Sequence, residues 1–167
     1  MIEVVIDSIR ISLISQHRIV MLRDVDGERQ LPIWIGPCEA EAITMELQDA
    51  EIARPVTHDL LKNVIGELGG AVSHILINEL KEQVYFARLF VDIDGRMLEI
   101  DSRPSDAIAV AVRAKVPIFV DESVLDEAGI VPEPDLEEAE DGESPEKLDA
   151  FKDFVDTLDF DDFESDE

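Results

Sequence analysis

Cysteine is almost missing from this chain of 167 residues. Cys38 stands alone, which excludes an intrachain disulfide and a multi-cysteine metal site. Aromatic residues make up 5% of the sequence, with a single Trp and a single Tyr, and the basic, aromatic-studded surface of a dedicated nucleic-acid binder is not there. No apolar run approaches the roughly 20 residues that a membrane span needs. The N-terminal stretch lacks the basic lead and small-residue cleavage site of a signal peptide, so we expect a cytoplasmic protein with no membrane contact. Positive charge is the scarcest commodity: 14 Lys and Arg face 40 Asp and Glu, for a net charge of -26. From Val131 onward 17 acidic residues face only Lys147 and Lys152, a net of -15, and the preceding body carries -11. Such a field repels phosphates at long range. Walker, GxGxxG, CxxC, HExxH and Ser-His-Asp patterns are all absent, and no organic cofactor is expected.

What is present is a succession of strands and helices. Alternating and β-branched runs predict strands at 2–14, 17–23 and 31–35, with Asp26-Gly27 as a tight turn. Gly36-Pro37 breaks the third strand and opens a helix reaching about Ala50. Thr57 reads as the N-cap of a second helix whose apolar face is Leu60, Leu61, Val64, Ile65 and Leu68, stopped by Gly69-Gly70. Strands follow at 71–80, 83–93 and 97–100, then an Ala/Val-rich helix after Asp101-Ser102-Arg103-Pro104-Ser105-Asp106. A short strand (118–120) and a short helix (122–128) complete the body. Hairpins interspersed with helices predict an α+β fold: a mixed, largely antiparallel β-sheet with three main helices, one domain over residues 1–130. Residues 131–145 read as an acidic disordered linker. Residues 146–167 read as an acidic amphipathic helical tail, with Leu148, Phe151, Phe154, Val155 and Leu158 on one stripe. The first strand is expected to be covered on both faces, Trp34 to lie in the core, and Cys38 to be a packed thiol.

Three polar corners sit at predicted helix starts: Glu39/Glu41, Arg54 with Thr57-His58-Asp59, and Asp101 to Asp106. Brought together, they would suit metal-assisted hydrolysis of a phosphodiester. Glu41, Asp59, Asp101 and Asp106 would hold a magnesium or manganese ion, His58 would move a proton, and Arg103 or Arg54 would clamp phosphate charge. A plainer role stands beside each: Thr57, Ser102 and Ser105 are ordinary N-caps, and Asp59 and Asp106 ordinary partners of a helix dipole.

The same corners carry a resemblance. LPIWIGPCEAEAI (Leu31–Ile43), RPVTHDLL (Arg54–Leu61), IDSRPSDAIAVAVR (Ile100–Arg113) and PIFV (Pro117–Val120) resemble, in order and spacing, the bifunctional nuclease (BFN) domain family. That resemblance implies an α+β domain, a homodimer, and nuclease action on DNA and RNA. The positions matching its polar pattern are Glu39, Glu41, Arg54, His58, Asp59, Asp101, Arg103, Ser105 and Asp106. Among them His58, Asp59, Asp101, Arg103 and Asp106 are expected to be catalytic, and Arg54 and Ser105 to bind substrate. Two alternatives remain open. One is a non-enzymatic dimeric module whose acidic tail recruits a protein partner, and the other is a small-anion pocket at the helix N-termini.

Overall fold

The computed structural model describes residues 1–12 and 17–132. The element order is β1 (Ile2–Ile11), β2 (Arg18–Asp24), β3 (Gln30–Ile35), α1 (Pro37–Leu47), α2 (Thr57–Glu67), β4 (Gly70–Lys81), β5 (Val84–Ile93), β6 (Arg96–Ser102), α3 (Pro104–Ala114), β7 (Ile118–Val120) and α4 (Glu122–Ala128). This is the α+β architecture expected from the sequence. The seven strands form one mixed sheet in the order β3-β2-β1-β7-β4-β5-β6. Only β4 and β7 pair in parallel; every other neighbouring pair is antiparallel. Four strands separate β3 from β5 in that order, yet the Tyr85 hydroxyl of β5 donates to Pro32 O of β3 at 3.4 Å. The sheet must therefore curl, and bulges at Ile6/Ser8, Val72/His74 and Ile77/Glu79 sharpen its twist.

The core lies inside that curl. Val20, Leu22, Leu31, Ile33, Ile75, Ile77, Leu89, Val91 and Val120 form one cluster with α3, which buries Ala107, Ile108, Ala109, Val110 and Ala111 against β4 and β5. Ile108 and Val110 each contribute about 1.5–3 kcal/mol through burial. The alanines matter for a second reason: with almost no side chain, they let α1 and α2 pack directly against α3. That close approach brings the polar corners within reach of one another.

Local turn chemistry explains most element ends. Asp94 and Gly95 both adopt positive φ (52° and 81°), which suits the tight β5–β6 turn. The β4–β5 turn falls on Glu82-Gln83, one residue later than expected, and both hold positive φ (50° and 65°) without being glycine. Asp26-Gly27 is not a two-residue turn; it lies in a longer loop from Asp24 to Gln30. There Asp24 accepts from Asp26 N–H at 3.0 Å.

Several expectations are corrected. β1 is not covered on both faces: Val4 is buried, while Val5 and Ile11 are exposed. Trp34 is 62% exposed. Cys38 is exposed. Of the apolar stripe of α2 only Ile65 packs against the core, while Leu60, Leu61, Val64 and Leu68 are exposed and His58 is the helix's one fully buried side chain. The N-caps are Val56 and Arg103 rather than Thr57, Ser102 or Ser105, and neither caps with its side chain. The expected linker and helical tail lie outside the described residues from 133 onward, as do residues 13–16 at the expected end of the first strand.

Candidate functional site

Three helix starts converge through one guanidinium. Arg103, just before α3, donates from Nε to Asp106 Oδ2 at 2.7 Å and from Nη2 to Asp106 Oδ1 at 3.1 Å. The same Nη2 reaches across to Glu39 Oε1 of α1 at 2.6 Å. On its far side Asp106 Oδ1 lies 3.2 Å from His58 Nε2, contributed by α2. Glu39, Arg103, Asp106 and His58 thus form one continuous chain of polar contacts. Among the described residues Arg103 Nη1 has no hydrogen-bond partner, so part of the fork remains available.

Glu39 can take this position because residue 36 is glycine. A Cβ at Gly36 would collide with the Glu39 carboxylate, which folds back over the start of α1. Pro37 at the first helical position fixes the entry. In α3 the equivalent steps are Arg103-Pro104, with Asp106 in the first turn.

Charge states follow from these contacts. Partial burial alone would raise the Asp106 pKa, but hydrogen bonds from Arg103 and His58 and the Arg103 charge together hold it below the usual carboxylate range. Asp106 and Glu39 push Arg103 further up, so it is always cationic. An ionised Asp106 can only accept, so its contact with His58 puts the imidazole proton on Nε2. Nδ1 is then the basic nitrogen. A carboxylate orienting an imidazole in this way is the arrangement used by general bases.

A second arginine organises the interior. Arg113 is only 3% exposed. Its Nε donates to Asp59 Oδ1 at 2.6 Å, Nη1 to Ala109 O at 2.9 Å, and Nη2 to Ala42 O at 3.0 Å. Lys62 Nζ donates to Arg113 O at 2.8 Å. The other Asp59 oxygen accepts from Val56 N–H at 2.9 Å. Burial would raise the Asp59 pKa, but the Val56 and Arg113 hydrogen bonds outweigh it and the net shift is downward.

The expected site residues therefore divide. His58, Arg103 and Asp106 meet, with Glu39 completing the chain. Asp59 faces Arg113 instead. Asp101 sits exposed on β6, opposite Arg88 of β5, and makes no contact with that chain. Arg54 is exposed in the loop before α2. Ser105 is buried and lines a groove with Arg103, and Glu41 lines a separate cleft with Cys38 and His58. Among the described residues no three His, Cys, Asp or Glu side chains are grouped so as to hold a metal ion. The donor set explains this, because both oxygens of Asp59 and of Asp106 are already engaged by N–H groups. As they stand, these carboxylates fit an ion-pair network and not a cation cage.

Sequence reasoning passed over Arg113 and misplaced Trp34. Each had a signal. An arginine within an Ala/Val helix that is apolar all round must find partners inside. Strand alternation through Leu31, Ile33 and Ile35 turns Trp34 outward.

The sequence of the bifunctional nuclease domain matches residues 20–133. The chain belongs to the bifunctional nuclease domain family. It is 39% identical over 164 residues, 98% of both chains, to an uncharacterized protein of Mycobacterium tuberculosis. It is 36% identical over 115 residues to Bifunctional nuclease 2 of Oryza sativa subsp. japonica, covering 66% of this chain and 35% of the rice protein. Bifunctional nuclease 1 of Arabidopsis thaliana is 32% identical over 110 residues, 64% of this chain and 34% of the plant protein. The match to the plant nucleases is thus confined to about a third of their length. Among the described residues no helix is long and apolar enough to cross a membrane.

Proposed function

We propose that this member of the bifunctional nuclease domain family is a cytoplasmic hydrolase of DNA and RNA phosphodiester bonds with low sequence preference. The observation that carries the reading is the Arg103–Asp106–His58 chain, in which one carboxylate links an oriented imidazole to a guanidinium whose Nη1 has no partner among the described residues. His58 Nδ1 takes a proton from water as its oxygen attacks phosphorus. The bond to the leaving ester oxygen breaks, and that oxygen takes a proton from solvent. Arg103 turns Nη1 to the non-bridging oxygens, where charge grows in the transition state. Asp106 holds the imidazole tautomer and offsets its charge once protonated. No base-reading side chain is required, which accounts for low sequence preference.

No step is routed through a metal. A magnesium or manganese ion would need Asp59 or Asp106 freed from the present arrangement, so the assay compares both ions with a chelator. Purified full-length protein is incubated with single-stranded DNA and RNA, and His58→Ala and Asp106→Ala are run beside it. Loss of cleavage in both variants supports the reading. Unchanged cleavage in both would assign the activity elsewhere.

The exposed ridge of α2 favours a second, compatible reading. Leu60, Leu61, Val64 and Leu68 stand on the helix that carries His58, with Leu68 73% exposed. A homodimer formed on that ridge would cover it. Sedimentation of Leu60→Glu and Leu68→Glu checks this: both should be monomeric if the ridge is the interface, and dimers in both would refute it.

A further inference from the structure

Trp34 is the largest side chain in the protein, and it is spent on the surface. Its neighbours Ile33 and Ile35 point into the core, so the pleat of β3 sends the indole outward. It does not stand alone. Trp34 lines a groove of about 450 Å³ with Val84 and Tyr85 of the β4–β5 hairpin and with Arg103 and Ser105 at the start of α3. Val84 is itself exposed. The hairpin is tied to β3 by the Tyr85 hydroxyl on Pro32 O. Its tip, Glu82-Gln83, holds two consecutive non-glycine residues at positive φ, a conformation L-residues seldom adopt. The groove therefore runs between β3 and the β4–β5 hairpin that this hydrogen bond ties to it.

Its chemistry is lopsided. Its lining joins apolar and aromatic side chains, Trp34, Val84 and Tyr85, to Arg103, whose Nη1 has no hydrogen-bond partner among the described residues. A planar ring joined to an anion fits that pair of features. Base–aromatic stacking is indifferent to base identity, and a base inside a duplex has both faces covered. The charge balance points the same way: a body at -11 draws little affinity from phosphates, so contact with bases must supply more of it. We infer that the groove between Trp34 and the β4–β5 hairpin is a stacking subsite for one unpaired nucleobase of a DNA or RNA strand, whose adjoining phosphate meets Arg103. This deepens the proposed hydrolase reading and rests on it.

Trp34 is the only tryptophan in the sequence, so intrinsic fluorescence of the full chain reports this subsite alone. The protein is titrated with a short oligothymidylate, with an abasic strand of equal length, and with a hairpin duplex. Anisotropy of an end-labelled oligothymidylate and its cleavage are followed in parallel. The single strand should quench the emission to saturation, and the abasic strand and duplex should not. Trp34→Ala should weaken binding of the labelled strand about tenfold, and Trp34→Phe should restore most of it. A strand that binds and is cleaved while leaving the emission unchanged would overturn the subsite and leave the hydrolase reading standing. Binding by Trp34→Ala as tight as wild type would do the same. Saturable quenching without cleavage supports the subsite and removes the hydrolase reading. A strand neither bound nor cleaved overturns both.

Discussion

Two arginines on or beside the same helix show how burial decides what an ion pair is for. Arg113, at the end of α3, is 3% exposed and has every nitrogen of its fork bonded, to Asp59 and to two backbone carbonyls. Arg103, at the start, has a side chain 67% exposed and an idle Nη1. Each stitches α3 to its neighbours. The inner one has each nitrogen bonded and almost no surface to offer a ligand, so it is framework. The outer one leaves donors facing solvent beside an oriented histidine, and that surplus makes it a candidate for chemistry. Removing a partner from the inner pair strands a charge away from water, whereas the outer pair can exchange its partners for water or phosphate.

The largest effect should come from breaking the inner pair. Arg113→Leu leaves the Asp59 carboxylate without its cation and should cost about 3–5 kcal/mol of stability, read by urea unfolding. The double variant Arg113→Leu/Asp59→Leu should recover a substantial part of that loss; no recovery would mean the pair is not the cause. Next, Arg103→Ala should lower cleavage about a hundredfold and shift stability by no more than about 1 kcal/mol. A variant that unfolds instead would erase the distinction between the two arginines. Third comes acid. Asp59 and Asp106 both have folded pKa values below the usual aspartate range, so their contribution is complete above that range and is lost as pH falls through the lower folded values. Stability should hold near neutrality and decline below about pH 4, with Asp59→Asn flattening the decline. The smallest effect is expected from Gly36→Ala. Its new methyl group displaces Glu39, leaves Arg103 Nη2 bonded to Asp106 alone, and should change cleavage only a few-fold while leaving the unfolding midpoint nearly untouched.

The fold was legible where local chemistry and tertiary packing agree. Gly36-Pro37, Asp94-Gly95 and the Ala/Val run of α3 each announce their element, and each forms it. The failures share a cause. The stripe on α2 and the indole of Trp34 are apolar, and apolarity alone does not say whether a residue meets its own core or remains exposed. Only the sheet's curl and the tight seating of α3 decide that. For the site, residue types and helix starts pointed to Arg103, Asp106 and His58. Which acid pairs with which base was not readable, because the answer turns on Arg113, which takes Asp59 away. Asp101 fails for a different reason: it lies exposed near the end of β6, beside the motif without joining it.

One consequence of the alanine seam in α3 concerns mechanics. Arg103 and Arg113 are ten residues apart, which in a helix is about 15 Å. With alanines rather than bulky side chains where α1 and α2 pack on it, α3 has little slack to absorb a displacement at one end. A disturbance at Arg113 too slight to unfold the protein should still swing the far end, and the reach of Arg103 toward a phosphate would change with it. The buried anchor would then set the aim of the side chain proposed to meet the phosphate.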